Sequence, residues 1–435
     1  MLALLGFASI IVFTVLVMTN RISAVAGLIV IPVVAAIIGG FTGELGMMMI
    51  SGVVETAPTA VMLIFALLYF LVMFECGLFE PFIKRILSVV GDDPVKIVMG
   101  TAVLIMIAGF DGDGATAVLI TISSMYPIYR RVGINPLIIA LLLGAINPVL
   151  NWMPWGGPAA RAAVSLKVDI SDIVVPMLPA WGITLAACLG FAYVLGRQER
   201  TRLAREGAAQ ELPHEGDEVR EPLHKPRKII EPRNFWFNLP LTLALMVGLA
   251  TGVAPLPALV MVAFAIAITV NFPDLETQQE RLKPHGSTVV VLITLILAAG
   301  AFTGVLSESG MVDAMAQSII SVVPESWGPN FAYVTAVLSI PLLVILSTDS
   351  FFLGVLPVLA QTGAAFGVPP EVIGRAALIG MPTHSLSPLI APIYFVCTLL
   401  RTDIGTLQKF AWRWLLLLGF IALFAAWATG AIYGV

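Results

Sequence analysis

Acid, glycine and proline break the apolar sequence of this chain twice, in the same order each time. The first passage holds FDGDGAT (Phe110 to Thr116) and then NWMPWGGP (Asn151 to Pro158). The second holds STDSFF (Ser347 to Phe352) and then HSLSPLIAP (His384 to Pro392). A shift of 234 positions carries Gly133 onto Gly367, Pro136 onto Pro370, Pro154 onto Pro388 and Pro158 onto Pro392. A shift of 233 carries Glu75 onto Glu308, Gly77 onto Gly310 and Leu87-Ser88-Val89-Val90 onto Ile320-Ser321-Val322-Val323. Two halves that each carry polar breaks deep in apolar sequence point to a secondary transporter with one site between its repeats.

Composition sets the solvent. A hydrophobic fraction of 59%, only 11% charged residues and a mean hydropathy of +0.98 exclude an ordinary soluble domain. Apolar runs of about 20 residues recur along the chain, enough at 1.5 Å per residue to cross a hydrocarbon layer of about 30 Å. The first run, Leu2 to Met18, lacks a basic leader and an A-x-A-like exit, so it is expected to be a retained span. Cys76, Cys188 and Cys397 sit singly in apolar sequence and suit small core positions better than a metal knot or a disulfide framework. The lipid bilayer is the partner this composition requires, and no nucleic-acid partner is expected.

Full spans are expected at 2–19, 22–40, 57–75, 135–166 and 172–196, then at 234–252, 254–271, 287–306, 370–400 and 406–433. Between the third and fourth spans of each half lies a short amphipathic stretch, 78–91 or 311–323, followed by two closely joined apolar arms. The arms are 94–109 with 115–129, and 327–346 with 351–364. An arm of about 15 residues makes roughly 22 Å of helix, enough to reach the membrane centre and return. The expected fold is therefore an all-α membrane protein of two inverted-topology repeats. Each repeat has five spans plus one re-entrant hairpin, and broken helices meet at mid-membrane. The first repeat covers 1–196 (hairpin tip 110–116, broken span 135–166), a charged linker 197–233, and the second repeat 234–435 (hairpin tip 346–351, broken span 370–400).

The linker carries eight acids and nine bases and is expected to be a solvated cytoplasmic connector, with a regulatory role as the alternative. Placing it inside puts both termini outside and 20 of the 23 Lys and Arg residues in cytoplasmic segments, leaving Arg161, Lys167 and Arg375 elsewhere. An odd number of crossings per repeat inverts the second half, so one hairpin enters from each face.

Asp111 and Asp113 are the most costly residues in this layout, since a carboxylate near the bilayer centre costs about 3 kcal/mol on insertion scales. Separated by Gly112, they suit a cation or an exchangeable proton; the alternative is a shallow turn in which Asp caps the second arm. Ser347, Thr348, Asp349 and Ser350 form the matching tip, either as a helix cap or as a site at a helix start. In the first broken span, Asn151, Gly156 and Gly157 favour an unwound segment, and Pro158 suits the first turn of a new half-helix aimed at a substrate carboxylate. Arg161 follows one turn later and would either grip a carboxylate or satisfy itself by snorkelling or pairing with an acid. Ser385 and Ser387 are candidate ligands in the second break. His384 would relay protons or simply pack. Glu75 and Glu308 end the third spans as helix caps or as proton-coupling groups, and Asn147 and Glu55 carry weaker signals. Trp412 and Trp414 fit interfacial anchors.

The strings FDGDGAT, NPLI, PWGGPAAR, GVLPVLA and HSLSPL, in this order and spacing, resemble the citrate–metal–proton symporter family (CitMHS) of the wider ion-transporter superfamily. The resemblance runs the length of the chain. It implies uptake of citrate, or a related tricarboxylate, as a complex with a divalent cation of the Mg²⁺ or Ca²⁺ class, coupled to protons. It implies no tightly bound cofactor, a homodimer in a bacterial cytoplasmic membrane, and a moving transport domain against a fixed scaffold. By position, Asp111, Gly112, Asp113, Thr116, Asn151, Gly156 and Gly157 would form one half-site, and Ser347, Thr348, Asp349, Ser385 and Ser387 the other. Sodium-coupled carriers of the superfamily usually show Ser-Asn-Thr at both tips, whereas this chain has acids there, which suits protons or metal better than sodium. A metal-independent carrier of the same fold, driven by H⁺ or Na⁺, is the alternative. No H-E-x-x-H, G-x-S-x-G or paired-Asp motif on an uninterrupted span points to a membrane enzyme.

Overall fold

The computed structural model describes residues 1–19, 21–110, 114–207, 233–283, 286–321, 324–387 and 391–433, and for residues 115, 116, 206, 207, 288, 325 and 391 the backbone alone. Every regular element among the described residues is helical. The first half runs through α1 (Leu2–Met18), α2 (Ala24–Gly39), α3 (Leu45–Glu75), α4 (Glu80–Val90), α5 (Pro94–Ala108), α6 (Gly114–Val132), α7 (Leu137–Leu150), α8 (Gly157–Leu166) and α9 (Ile170–Gly207). The second half holds α10 (Phe235–Thr251), α11 (Leu256–Asn271), α12 (Leu275–Leu282), α13 (Gly286–Glu308), α14 (Met311–Ile320) and α15 (Phe331–Ile345). A π-helical segment (Ser350–Val355), α16 (Leu356–Ala365), α17 (Pro370–Leu378), α18 (Met381–His384), α19 (Ala391–Leu400) and α20 (Ile404–Ala428) complete it.

Among the described residues five helical stretches are long and apolar enough to cross a membrane: Leu45–Glu75, Ile170–Arg205, Val289–Glu308, Ser326–Ile345 and Ile404–Ala428. Four expected crossings come out shorter. α1 and α10 have 17 residues and α2 and α11 have 16, at roughly 25 Å the lower limit for a span. α9 overruns its expected end at 196 and stays helical to Gly207. Hydropathy stops at the membrane surface, but Arg, Gln, Glu, Leu and Ala remain good helix formers beyond it. That extension is tied down: Glu199 accepts the Asn135 N–H at 3.0 Å, Arg202 donates to the Gly133 carbonyl at 2.6 Å, and Arg200 pairs with Asp93.

Helix starts follow their capping residues. Ser23, Asp93, Asp274 and Asp403 each accept a first-turn backbone N–H, and proline opens α5, α8 and α17. The long helices α3 and α13, one from each half, cross with their backbones nearly touching. A Cβ on Gly52 would fall 2.1 Å from the Gly300 carbonyl oxygen, and one on Gly304 2.3 Å from that of Met48. Small residues permit such crossings in lipid, where close packing replaces the hydrophobic drive. α2 and α11 pack on this pair, and α1 packs on α2 and α14. A second body forms where α5, α7 and α20 gather on α9, and α15, α16 and α8 pack on α17. α8 touches both bodies, meeting α3 and α13 on one side and α17 on the other.

Candidate substrate site

α7 stops at Leu150 and the chain restarts as α8 at Gly157, leaving Asn151 to Gly156 non-helical. Gly156 is required here because a Cβ would fall 2.1 Å from the Asn151 carbonyl oxygen. Trp155 turns back from this segment, donates its indole N–H to the Phe110 carbonyl at 2.7 Å, and lies against Phe70 and Phe110. The break thereby grips the residue just before Asp111. Trp181 donates to the Val149 carbonyl at 3.0 Å, a second donor to an acceptor near the end of α7 that also takes the Trp152 N–H at 3.2 Å.

On the second side, α15 ends at Ile345 and the tip Leu346 to Asp349 leads into the π-helical segment. Ser347, not Asp349, caps that segment: its hydroxyl oxygen accepts the Ser350 N–H at 3.2 Å and its O–H donates to Ser350 Oγ at 2.9 Å. The Asp349 carboxylate makes no cap bond. Instead its Oδ1 accepts from Arg161 Nε at 2.5 Å, with the two side chains 21% and 18% exposed. A residue of the first half's broken helix thus meets the second half's tip. The Arg161 guanidinium lies directly on the start of α8, since a Cβ on Gly157 would fall 2.5 Å from Nη1.

The second break completes the constellation. His384 is buried; Nδ1 donates to the Leu343 carbonyl at 2.6 Å, an acceptor orphaned at the end of α15, and Nε2 lies 2.9 Å from the Thr348 hydroxyl. Because a carbonyl only accepts, the proton is assigned to Nδ1, leaving Nε2 to accept from Thr348 in the neutral ring. Ser385 donates to the Gly144 carbonyl at 2.7 Å. Pro148, four residues on in α7, has no N–H to offer that carbonyl, so Ser385 supplies the missing donor. Ser387 is fully buried at the end of the described stretch.

Asp111, Gly112 and Asp113 lie outside the described residues, as does the side chain of Thr116. Their surroundings are described. A Cβ on Gly109 would fall 2.7 Å from Asn147 Oδ1, and one on Gly114 3.8 Å from Nδ2, so the Asn147 amide sits against both flanks of that tip. Asn147 Oδ1 is buried without a hydrogen-bond partner among the described residues, making it an acceptor facing the tip that the sequence ranked low. Its signal was its place one turn before the break, beside Pro148. The two glutamates at matching positions have different surroundings: Glu75 is partly buried with Arg281 Nε 3.7 Å away, whereas Glu308 is exposed at the end of α13. No group of three or more His, Cys, Asp or Glu stands together among the described residues.

A helical body with long apolar spans, two broken helices and a charge pair where the halves meet defines an integral membrane transporter. The chain matches the family model for citrate transporters, CitMHS, over residues 2–380, and it belongs to that family. Among curated proteins it is 44% identical over 416 residues to a citrate transporter of Bacillus subtilis, covering 95% of each chain. It is 42% identical over 433 residues to the Mg(2+)/citrate complex secondary transporter of the same organism, covering 99% of each. Two solved transporters share the fold. The Alcanivorax borkumensis YdaH transporter has a TM-score of 0.55 at 15% identity, over 90% of this chain and 89% of that one. Neisseria gonorrhoeae MtrF has a TM-score of 0.57 at 13% identity, over 89% and 84%.

Proposed function

We propose that this protein is a secondary active symporter that imports citrate as a complex with a divalent metal ion, coupled to protons, by elevator-type alternating access. The observation that carries the reading is the Arg161–Asp349 contact, which sets a carboxylate-binding group and a cation-binding group side by side where the two halves meet. Arg161, the start of α8 at Gly156 and Gly157, and Asn151 would receive citrate carboxylates. Asp349, with Asp111 and Asp113, would take the metal or the coupled protons. Gly112, Thr116, Ser347, Thr348, Ser350, Ser385 and Ser387 complete the binding set. Glu75, Glu308 and His384 are further proton-transfer candidates, and the exposure of Glu308 makes it the weakest of the three. A citrate trianion entering among three aspartates is repelled unless cations enter with it, and a chelated Mg²⁺ or Ca²⁺ cancels most of that charge. The relative described as a Mg(2+)/citrate complex secondary transporter, 42% identical, supports the same substrate.

The inverted, re-entrant arrangement is part of this reading. It is supported by the matched order of α4–α5–α6–α7 and α14–α15–α16–α17, each following a long helix, α3 or α13. The body around α3 and α13 would be the scaffold of a homodimer, and the body around α9 and α17 the moving part. The expected orientation is supported by ion pairs that join residues it places on one face, Lys167 with Glu55 outside and Arg281 with Glu75 inside.

Uptake of labelled citrate into proteoliposomes tests the reading, with Mg²⁺, Ca²⁺ or Zn²⁺ present or absent and with H⁺ or Na⁺ gradients imposed separately. Metal-dependent uptake driven by the proton gradient is expected. Metal-independent, Na⁺-driven uptake overturns it in favour of a plain polycarboxylate carrier.

A further inference from the structure

We propose that the Arg161–Asp349 ion pair is a loading interlock that admits the divalent cation and the polycarboxylate only together. The inference rests on the metal–citrate reading of the site and adds to it how the two cargo parts become mutually dependent. The two charges satisfy each other at 2.5 Å, and both side chains are about four-fifths buried. Their origins differ: Arg161 rises from the first turns of α8, and Asp349 from the tip before the π-helical segment. Asp349 is not needed as a cap, since Ser347 fills that role. Arg161 lies on the bare backbone of Gly157, so its guanidinium and the start of α8 face the same anion.

The half-loaded states are the unfavourable ones. Free citrate taking Arg161 strands the Asp349 carboxylate and sets further negative charge beside it. A free divalent cation taking Asp349 strands the guanidinium next to two positive charges. Removing one partner of a poorly hydrated charge pair is costly because the other is left uncompensated. A metal–citrate complex gives a carboxylate to Arg161 and a cation to Asp349 in one step, so neither charge is stranded. The two cargo parts are then coupled by the protein, beyond their affinity for each other in water.

The test measures citrate binding to the purified full-length protein by calorimetry, with Mg²⁺ in excess and with Mg²⁺ removed, and Mg²⁺ binding without citrate. Wild type should bind Mg²⁺–citrate well and either part alone poorly. Asp349→Asn, which leaves Arg161 without its competitor, should bind metal-free citrate roughly tenfold or more tighter than wild type. Arg161→Gln should bind Mg²⁺ alone tighter by a similar factor, and the double variant should lose the coupling of both. Melting temperature checks that each variant is folded, and if Asp349→Asn does not fold, the Arg161→Gln measurement decides. A folded Asp349→Asn or Arg161→Gln protein without its gain in single-component binding overturns the interlock. Wild type that binds no form of citrate overturns the site reading itself. Wild type that binds Mg²⁺–citrate, with variants of unchanged metal dependence, removes the interlock alone.

Discussion

Gly156 and Gly157 are neighbours, yet an alanine at each should fail in a different way. The Cβ of Gly156→Ala would fall 2.1 Å from the Asn151 carbonyl oxygen and 2.6 Å from its carbon. Those atoms are backbone, held by the Gly156 N–H to Met153 carbonyl bond at 2.8 Å and the Asn151 N–H to Asn147 carbonyl bond at 3.1 Å. The segment must open by about an ångström, at the upper end of the roughly 1–3 kcal/mol cost of overpacking. The Cβ of Gly157→Ala instead meets Arg161 Nη1 at 2.5 Å, the end of a long side chain, with Cζ already 3.7 Å away. A guanidinium yields by small torsional changes costing about 1 kcal/mol. Moving it by about an ångström, however, breaks a charge-assisted hydrogen bond, worth roughly 1.5–3 kcal/mol. That converts to about tenfold to hundredfold in affinity. Gly156→Ala should therefore melt well below wild type. Gly157→Ala should melt near wild type but raise the KM for Mg²⁺–citrate uptake in proteoliposomes by about ten- to a hundredfold. A wild-type KM in Gly157→Ala would show that Arg161 does not hold substrate. A wild-type melting point in Gly156→Ala would refute the close-approach argument.

Asp111→Asn and Asp113→Asn should each impair transport while the protein still inserts; normal uptake by both would reduce that tip to a structural turn. Ser385→Ala leaves the Gly144 carbonyl without the donor that replaces Pro148, so it should cost about 1–2 kcal/mol of stability, read as a lower melting temperature of the purified protein. At the membrane edge, the Arg200 guanidinium holds the Asp93 carboxyl below the usual carboxylate range, and the Thr406 hydroxyl and backbone N–H do the same for Asp403. A depressed folded-state pKa adds stability above the unfolded value that is lost as pH falls through the folded one. Melting temperature should hold near neutrality and fall below about pH 4, less steeply in Asp403→Asn.

Much of the architecture was legible because breaks in helices have local causes. The pause between Leu150 and Gly157 follows from Pro154, Gly156 and Pro158, and the amphipathic α4 and α14 follow from their own periodicity. The α9 extension was missed because the span boundary was read from hydropathy, which reports lipid and not helix. The short α12 was also missed, for it is polar and lies outside every apolar run. The candidate site was legible as separate residues and not as contacts. Residue types nominated Arg161 and Asp349 separately, but nothing local links residues 188 positions apart. The Ser385–Gly144 bond had a usable signal: a proline inside an apolar helix implies an orphaned carbonyl four residues earlier and a polar side chain to meet it.

The exceptions to the charge rule lead to the site by a shorter route than the motifs do. A basic residue away from the cytoplasmic face opposes the orientation of its segment, so it persists where something offsets it. The expected orientation, if the linker is cytoplasmic, leaves three: Arg161, Lys167 and Arg375. Lys167 is offset by Glu55 at 2.7 Å, a pair more open to solvent than Arg161–Asp349, which fastens the end of α8 to α3. Arg375 is offset by the Asp172 and Ala431 carbonyls at 2.7–3.1 Å. Backbone carbonyls cannot be titrated and are not given up to a passing cation, so that contact is a fixed joint between α17, α9 and the end of the chain. Arg161 alone of the three is offset by a largely buried carboxylate, at the contact between the first half's broken helix and the second half's tip. On the proposed reading, that is the compensating charge exchanged for one carried by cargo, which fixed carbonyls and a surface pair do not offer.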